Sequence, residues 1–238
     1  MYYLNNEEKK KLKVTLRAVF SIPFVDDVED YIWEAVFSHV KGIEFVDPLT
    51  NTRSKRLFDV VDKNHKIGWS IKAAQRVVNL PCDYEVVIQR ADIFKKANKL
   101  GFEKLSLDTP AQTLGTALLK HWYDEKVAKD AKIQGVTEKR VCILLKSPNR
   151  KVYAYYEAAL AEYSARDLVW DWTDNTRTGL QARRRKDKQL VFRWYPNQKQ
   201  FFERFTFPSD TYKFNIEPTR LEAHDVVELL LAKLEGRL

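Results

Sequence analysis

Cysteine is nearly absent from this chain, which has two in 238 residues, and glycine (7), proline (8), methionine (1) and histidine (4) are also scarce. Cys82 and Cys142 lie in apolar surroundings with no second thiol close in sequence, which argues against a disulfide framework or a paired-cysteine zinc motif. Buried free thiols in a reducing cytoplasm are the simplest reading. The histidines at 39, 65, 121 and 224 form no pair at metal-ligand spacing. No Gly-rich phosphate loop and no G-x-S-x-G elbow occurs, so P-loop and α/β-hydrolase chemistry are excluded. With no Gly/Ser/Pro-rich linker, repeat or low-complexity tract, residues 1–238 read as a single domain. No stretch reaches the roughly 18 apolar residues of a membrane span, and MYYLNNEEKKKLKVTL is followed by no signal-peptide core.

What is present is the composition of an ordered protein: 45% hydrophobic and 31% charged residues, with a net charge of +8. The charge is localised. Between positions 177 and 204 nine Lys or Arg stand against Asp187 and Glu203, a local excess of +7. A merely solvated face intersperses its acids, so a concentrated excess favours a polyanion partner, most economically nucleic acid.

The elements follow from periodicity. DDVEDYIWEAVFSHVK, 26–41, sets Val28, Ile32, Ala35 and Val36 at helical spacing behind acids suited to a helix N-terminus. RLFDVVD and KIGWSIKAA flank KNHK as a β-hairpin. DYEVVIQRADIFKKANKLG, from 83, fits a strand through Val87 followed by a helix, or one helix beginning near Asp83. Residues 110–132 predict a long helix with Pro110 in its first turn. RVCILLK, 140–146, predicts a central strand. DLVWDW, QLVFRWY and KQFFERFTF predict late antiparallel hairpins, and Thr219 with Glu222 predicts a capping box opening a last helix. The fold class is therefore α/β, a mixed central sheet flanked by helices with a late antiparallel hairpin region.

Within the hairpin, a turn centred on 64–65 sets Asp59 opposite Ser70, and alternation puts Ser70 and Lys72 on one face. Hydrolysing a phosphodiester requires a positioned water and a cation that stabilises charge on phosphorus; carboxylates and a lysine supply these. Asp59 can equally cap a turn and Lys72 be a solvated strand residue.

Aspartate, a turn, then acid-x-lysine on the next strand resembles the PD-(D/E)XK nuclease superfamily, which includes Type II restriction endonucleases. Here Phe58-Asp59 stands for Pro-Asp and Ser70-Ile71-Lys72 for acid-x-lysine. Some members carry Ser-x-Lys and take the missing carboxylate from a glutamate a dozen or so residues further along; 12 residues lie between Lys72 and Glu85. The resemblance implies a restriction-endonuclease-like fold with its catalytic hairpin at about 56–90. It implies Mg2+ held by Asp59, Glu85 and the Ile71 carbonyl, Lys72 activating the attacking water, and Ser70 shaping the site. Glu34 or Glu29 on the first helix would be an accessory acid. The products would carry 5′-phosphates, the enzyme would be a homodimer on double-stranded DNA, and a cognate methyltransferase would accompany it.

Region 170–204 would hold the duplex. Asn175, Arg177, Thr178, Gln181, Arg183, Arg184, Arg185, Lys188 and Lys199 are the candidate DNA contacts, arginine and lysine on phosphates, amides and arginine on base edges. Trp170, Trp172, Trp194 and Phe201 can stack on bases, but at strand spacing core is the better reading for most. Residues 51–56 form a second polar, basic loop. Two alternatives stay open: a structure-selective or non-specific nuclease with the same site, and a nucleic-acid-binding protein without catalysis.

Overall fold

The computed structural model describes residues 3–44 and 56–237. In chain order come α1 (Asn6–Ser21), α2 (Asp30–Lys41), β1 (Val60–Asp62), β2 (Ile67–Gln75), β3 (Cys82–Arg90), α3 (Ala111–Trp122) and α4 (Lys129–Gln134). They are followed by β4 (Glu138–Lys146), β5 (Val152–Ala159), β6 (Leu168–Trp172), β7 (Leu180–Arg184), β8 (Leu190–Tyr195), β9 (Gln200–Phe207), β10 (Tyr212–Asn215) and α5 (Ala223–Leu234). The class is mixed α/β, with one mixed and one antiparallel sheet of five strands each. Among the described residues no helix is long and apolar enough to cross a membrane. The loop read at 51–56 lies outside the described residues except for Arg56.

The chain forms two compact units: one takes the chain to Asn79, Arg140–Ala158 and the part from Asp210 onward, the other Leu80–Lys139 and Ala159–Ser209. Two of the four crossings fall within β4 and β5, where no flexible linker marks them.

In the first unit the sheet order is β1-β2-β4-β5-β10. The apolar run predicted as a central strand is the middle one, with Val141, Cys142, Ile143, Leu144 and Leu145 all buried. The Arg76 N–H, just past β2, donates to Lys146 O at the end of β4 (2.8 Å), so these two ends lie together. Leu12, Leu16 and Phe20 of α1 and Trp33, Val36, Phe37 and Val40 of α2 share a core with Trp69, Ile71, Leu144 and Tyr153. Full burial of such a side chain contributes about 1.5–3 kcal/mol. Of the predicted 28/32/35/36 positions, Val28 and Val36 are buried in this core and Ile32 packs against it; the buried face of α2 also takes in Trp33, Phe37 and Val40, and the helix begins only at Asp30, after a Glu29 N-cap, so Val28 precedes it. Helix α1 is not among the elements expected from periodicity: lysines crowd its sequence, yet an Asn5–Glu8 capping box opens it and a three-residue stripe anchors it.

The predicted capping box at 219–222 does not form. The N-cap of α5 is Glu222, with no side-chain cap. The Arg220 guanidinium instead docks on the Ile22 and Val25 carbonyls, and the Leu221 N–H donates to Ser21 O, which holds this stretch outside the helix.

In the second unit the order is β3-β9-β8-β7-β6 with all neighbours antiparallel, so the stretch from 83 opens as a strand, β3, and the late hairpins are a meander. The predicted 110–132 helix is three pieces, α3, a π-helical turn (Tyr123–Ala128) and α4, with Pro110 at the N-cap. Gly115 is where α3 meets the sheet: a Cβ there would lie 2.3 Å from the Trp170 ring. Gln112 on the same helix accepts from the Trp170 N–H (3.3 Å) and donates to the Ala165 carbonyl (3.2 Å).

Candidate functional site

The hairpin closes through a turn built on Asp62, whose carboxylate accepts the Asn64 and His65 N–H groups (2.9 and 3.0 Å) and meets the His65 ring (2.7 Å). His65 is therefore a turn residue. The register pairs Val60 with Trp69, and the Asp59 N–H donates to Trp69 O (2.9 Å). Trp69 and Ile71 point into the α2 core, so Ser70 and Lys72 take the opposite face.

Strand β1 spans only Val60–Asp62 while β2 runs on to Gln75, and carboxylates take the β2 edge donors beyond it. Asp59 Oδ2 accepts the Ile71 N–H (2.8 Å), and Asp30 Oδ1, from the first turn of α2, accepts the Ala73 N–H (3.1 Å). Residues two apart on a strand direct their N–H groups the same way, so both acids line one edge. Between these positions Lys72 Nζ donates to Ile71 O (2.9 Å) and lies 3.8 Å from Asp59 Oδ2. The Asp59 and Lys72 side chains are 14% and 24% exposed, sheltered but reachable. Ser70 is buried, as is Glu34, one helical turn after Asp30.

Magnesium takes six oxygens in near-octahedral geometry and usually keeps several waters beside one or two carboxylates and substrate phosphate. Asp59 Oδ2 and Ile71 O already converge on one cationic group, the Lys72 ammonium, and Asp30 stands on the next edge donor. Asp59 Oδ2 and Ile71 O are oxygen donors of the kind such an ion takes, whereas Asp30 holds the N–H two residues further along the strand, and water and phosphate oxygens would have to supply most of the shell. Among the described residues no three His, Cys, Asp or Glu side chains converge, so an all-protein cage is not on offer.

Glu85 belongs to the other unit, on β3, where Arg193 (3.1 Å) and Arg204 (3.5 Å) both hold its carboxylate. The carboxylate at this strand edge that sequence reasoning misses is Asp30. Its signal is the acidic run DDVED, which reads as helix-start chemistry because a tertiary bond to Ala73 leaves no local pattern.

The basic stretch is less bare than its linear count. Arg177 pairs with Asp108 (2.6 Å), Arg184 with Asp187 (2.7 Å), Lys199 with Asp92 (2.8 Å), Arg193 with Glu85, and Arg204 with Asp83 (2.9 Å). All these acids except Asp187 come from outside 177–204. Arg183, Arg185, Lys186 and Lys188, around the β7–β8 turn, form no ion pair among the described residues. The Arg183 and Arg185 side chains donate to the Lys188 and Arg166 carbonyls (3.3 and 2.9 Å), which fixes their direction while leaving other N–H groups available.

The loop 174–179 is organised internally. The Thr176 and Thr178 hydroxyls hold the Asp174 carboxyl well below the usual range, and Thr178 spends both its hydroxyl and its N–H on that group. Asn175 is exposed, Arg177 lies over the Trp172 ring (6.0 Å), and Gln181 is half-buried on β7. Trp170, Trp194 and Phe201 are core, and Trp172 is half-buried. His121 is also a core residue: burial, then the neighbouring Lys96 charge, pushes it down to about 4, and its Nε2 faces Gln89 (2.8 Å) and Lys96 (3.1 Å).

Comparison with protein-family models, with curated proteins and with solved structures found no match to this chain.

Proposed function

We propose that this chain is a Mg2+-dependent endodeoxyribonuclease of the PD-(D/E)XK kind, cutting double-stranded DNA. The observation that carries the proposal is the β2 edge, where the Asp59 carboxylate, the Ile71 carbonyl and the Lys72 ammonium meet, with Asp30 on the adjacent N–H. A hairpin bearing these groups in a mixed sheet agrees with the motif resemblance. The two alternating carboxylates would hold the cation together with Ile71 O, and the cation would supply charge stabilisation and a more acidic bound water.

The protein's own groups do the rest. Lys72, released from Ile71 O, is free to donate to a phosphate oxygen or to orient the attacking water. Buried Ser70 keeps that face of β2 close-packed, and the Ile71 side chain anchors the edge in the α2 core. Asp30 takes the place that the motif resemblance gives to Glu85, whose carboxylate is engaged by two guanidinium groups. Cutting both strands at a symmetric sequence would call for a two-fold homodimer.

Digestion of mixed-sequence DNA with Mg2+, followed by mapping of the ends, tests substrate and specificity together. Fixed ends carrying 5′-phosphate support a restriction enzyme; scattered or junction-associated ends support the structure-selective alternative. Lys72→Ala should lower cleavage by about 10²-fold or more while leaving DNA binding in Ca2+ intact. Retained cleavage in that variant sinks the proposal. Asp30→Asn should be as damaging as Asp59→Asn, and Glu85→Gln much milder; the reverse order restores Glu85 as the ligand.

A further inference from the structure

The antiparallel sheet of the second unit has two faces of opposite character. Trp170, Ala182, Phe192 and Phe201 line the inner one and are buried, with α3 against Trp170. On the outer face the register strings one row across all five strands: Asp171, Gln181, Arg193, Phe202 and Val87. Tyr195, two residues beyond Arg193 and so on the same face, meets the Phe202 ring edge-on, centroids 5.6 Å apart at 89°. Gln181, Arg193, Tyr195 and Phe202 are half-buried, Val87 and Arg183 exposed.

We propose that this outer face binds an unpaired nucleic-acid strand, with bases stacking on Phe202 and Tyr195 and phosphates meeting Arg183 and Lys188 at the β7–β8 turn. The chemistry of the two parts of the face differs in the way such a ligand requires. In the centre, Glu85 and Asp83 neutralise Arg193 and Arg204, which leaves two rings set edge to face, an amide and paired charges, a surface suited to uncharged base faces. At the turn, Asp187 pairs with Arg184, Arg183 and Lys188 have no acid partner among the described residues, and a bond to the Lys188 carbonyl holds Arg183 in place. Ring stacking needs a free base face, which a duplex hides and a single strand exposes. The inference does not rest on the hydrolytic proposal, because its residues lie in the other unit from Asp59 and Lys72.

The test is fluorescence anisotropy of a labelled oligothymidylate of about 20 nucleotides, longer than one single-strand site, titrated with the full chain in EDTA. The wild type should bind with strong salt dependence and prefer the single strand to a duplex of equal length. Phe202→Leu, which keeps an apolar side chain, should weaken binding about 5- to 150-fold, and Tyr195→Phe should bind like the wild type. Because a variant at half-buried Phe202 can misfold, the exposed pair Arg183→Gln and Lys188→Gln is the second arm. It should flatten the slope of log K against log salt by about 0.7 for each phosphate no longer neutralised. Lys72→Ala should bind as well as the wild type even where cleavage is gone, which separates this inference from the catalytic one. Unchanged affinity and slope in both arms overturns it, as does preference for the duplex. Failure of the oligonucleotide to bind, as expected of a face that takes a protein segment, overturns it equally.

Discussion

Glu157 in the first unit and Glu203 in the second are both buried strand glutamates set among aromatic residues, in YYEAA and FFERF. Their surroundings are opposite. Glu157 Oε1 accepts from Trp69 Nε1 (2.7 Å) and Arg140 Nε (2.6 Å), and Oε2 accepts from the Tyr155 hydroxyl. Glu203 faces Phe192 and Val86 across its two strand neighbours, and burial alone pushes its carboxyl up to about 8. A buried charge is tolerable when paired and hydrogen-bonded, and otherwise takes up a proton. The first sheet thus encloses an ion pair, whereas the second encloses a neutral acid near pH 7. The difference comes from the neighbouring strands, since the local sequences are alike.

Breaking the paired side should have the largest effect. Arg140→Met leaves Glu157 without its cation in a site where both side chains are under a tenth exposed, and should cost about 3–5 kcal/mol in urea unfolding. Replacing both, Arg140→Met with Glu157→Leu, should recover much of that loss, because the desolvation of two charges disappears with them. Equal losses in the single and double variants would mean that the pair is not the unit being measured.

The unpaired side predicts a pH dependence of definite sign. Folding raises the Glu203 pKa from 4.5 to about 8, so between those values the native state holds a proton that the unfolded state has released. Stability from this group is therefore greatest below pH 4.5 and falls as pH rises toward 8, by on the order of 3 kcal/mol at pH 7. Glu203→Gln removes the titration, so its stability relative to wild type should improve steadily from pH 5 to pH 8. A difference that stays constant over that range would show that Glu203 does not titrate as a buried, unpaired acid.

What can be read from the sequence follows the range of the forces involved. Strand β4 is legible because a run of apolar residues has one good home, and the β1–β2 hairpin because β-branched and aromatic residues flank a polar turn. Asp59 and Lys72 are legible with it, since their meeting follows from register alone. Asp30 is not, because its bond to Ala73 joins a helix start to a strand 43 positions away. The linear charge count at 177–204 overstates the free charge for the same reason: Asp83, Glu85, Asp92 and Asp108 return through the fold to pair with part of it, while Arg183, Arg185, Lys186 and Lys188 keep no ion pair among the described residues. Nor does composition mark the two units, two of whose crossings run inside strands.

The smallest effect sharpens the comparison most, because it touches one oxygen of one carboxylate. Tyr155→Phe removes the donor to Glu157 Oε2 while Trp69 and Arg140 keep Oε1, so the ion pair survives with one lone pair unsatisfied. The ring itself stays in place against Trp33, 6.2 Å between centroids, which separates the hydrogen bond from the packing. The expected cost is about 1–2 kcal/mol. Burial holds the Tyr155 hydroxyl well above its ordinary pKa, so this cost should not vary between pH 6 and pH 9, unlike that of Glu203. If the three donors act as one network, Arg140→Met and Tyr155→Phe together should depart from additivity by at least about 0.5 kcal/mol. Strict additivity would mean that each oxygen of Glu157 is held independently, and that the first sheet contains two separate bonds rather than a single polar centre.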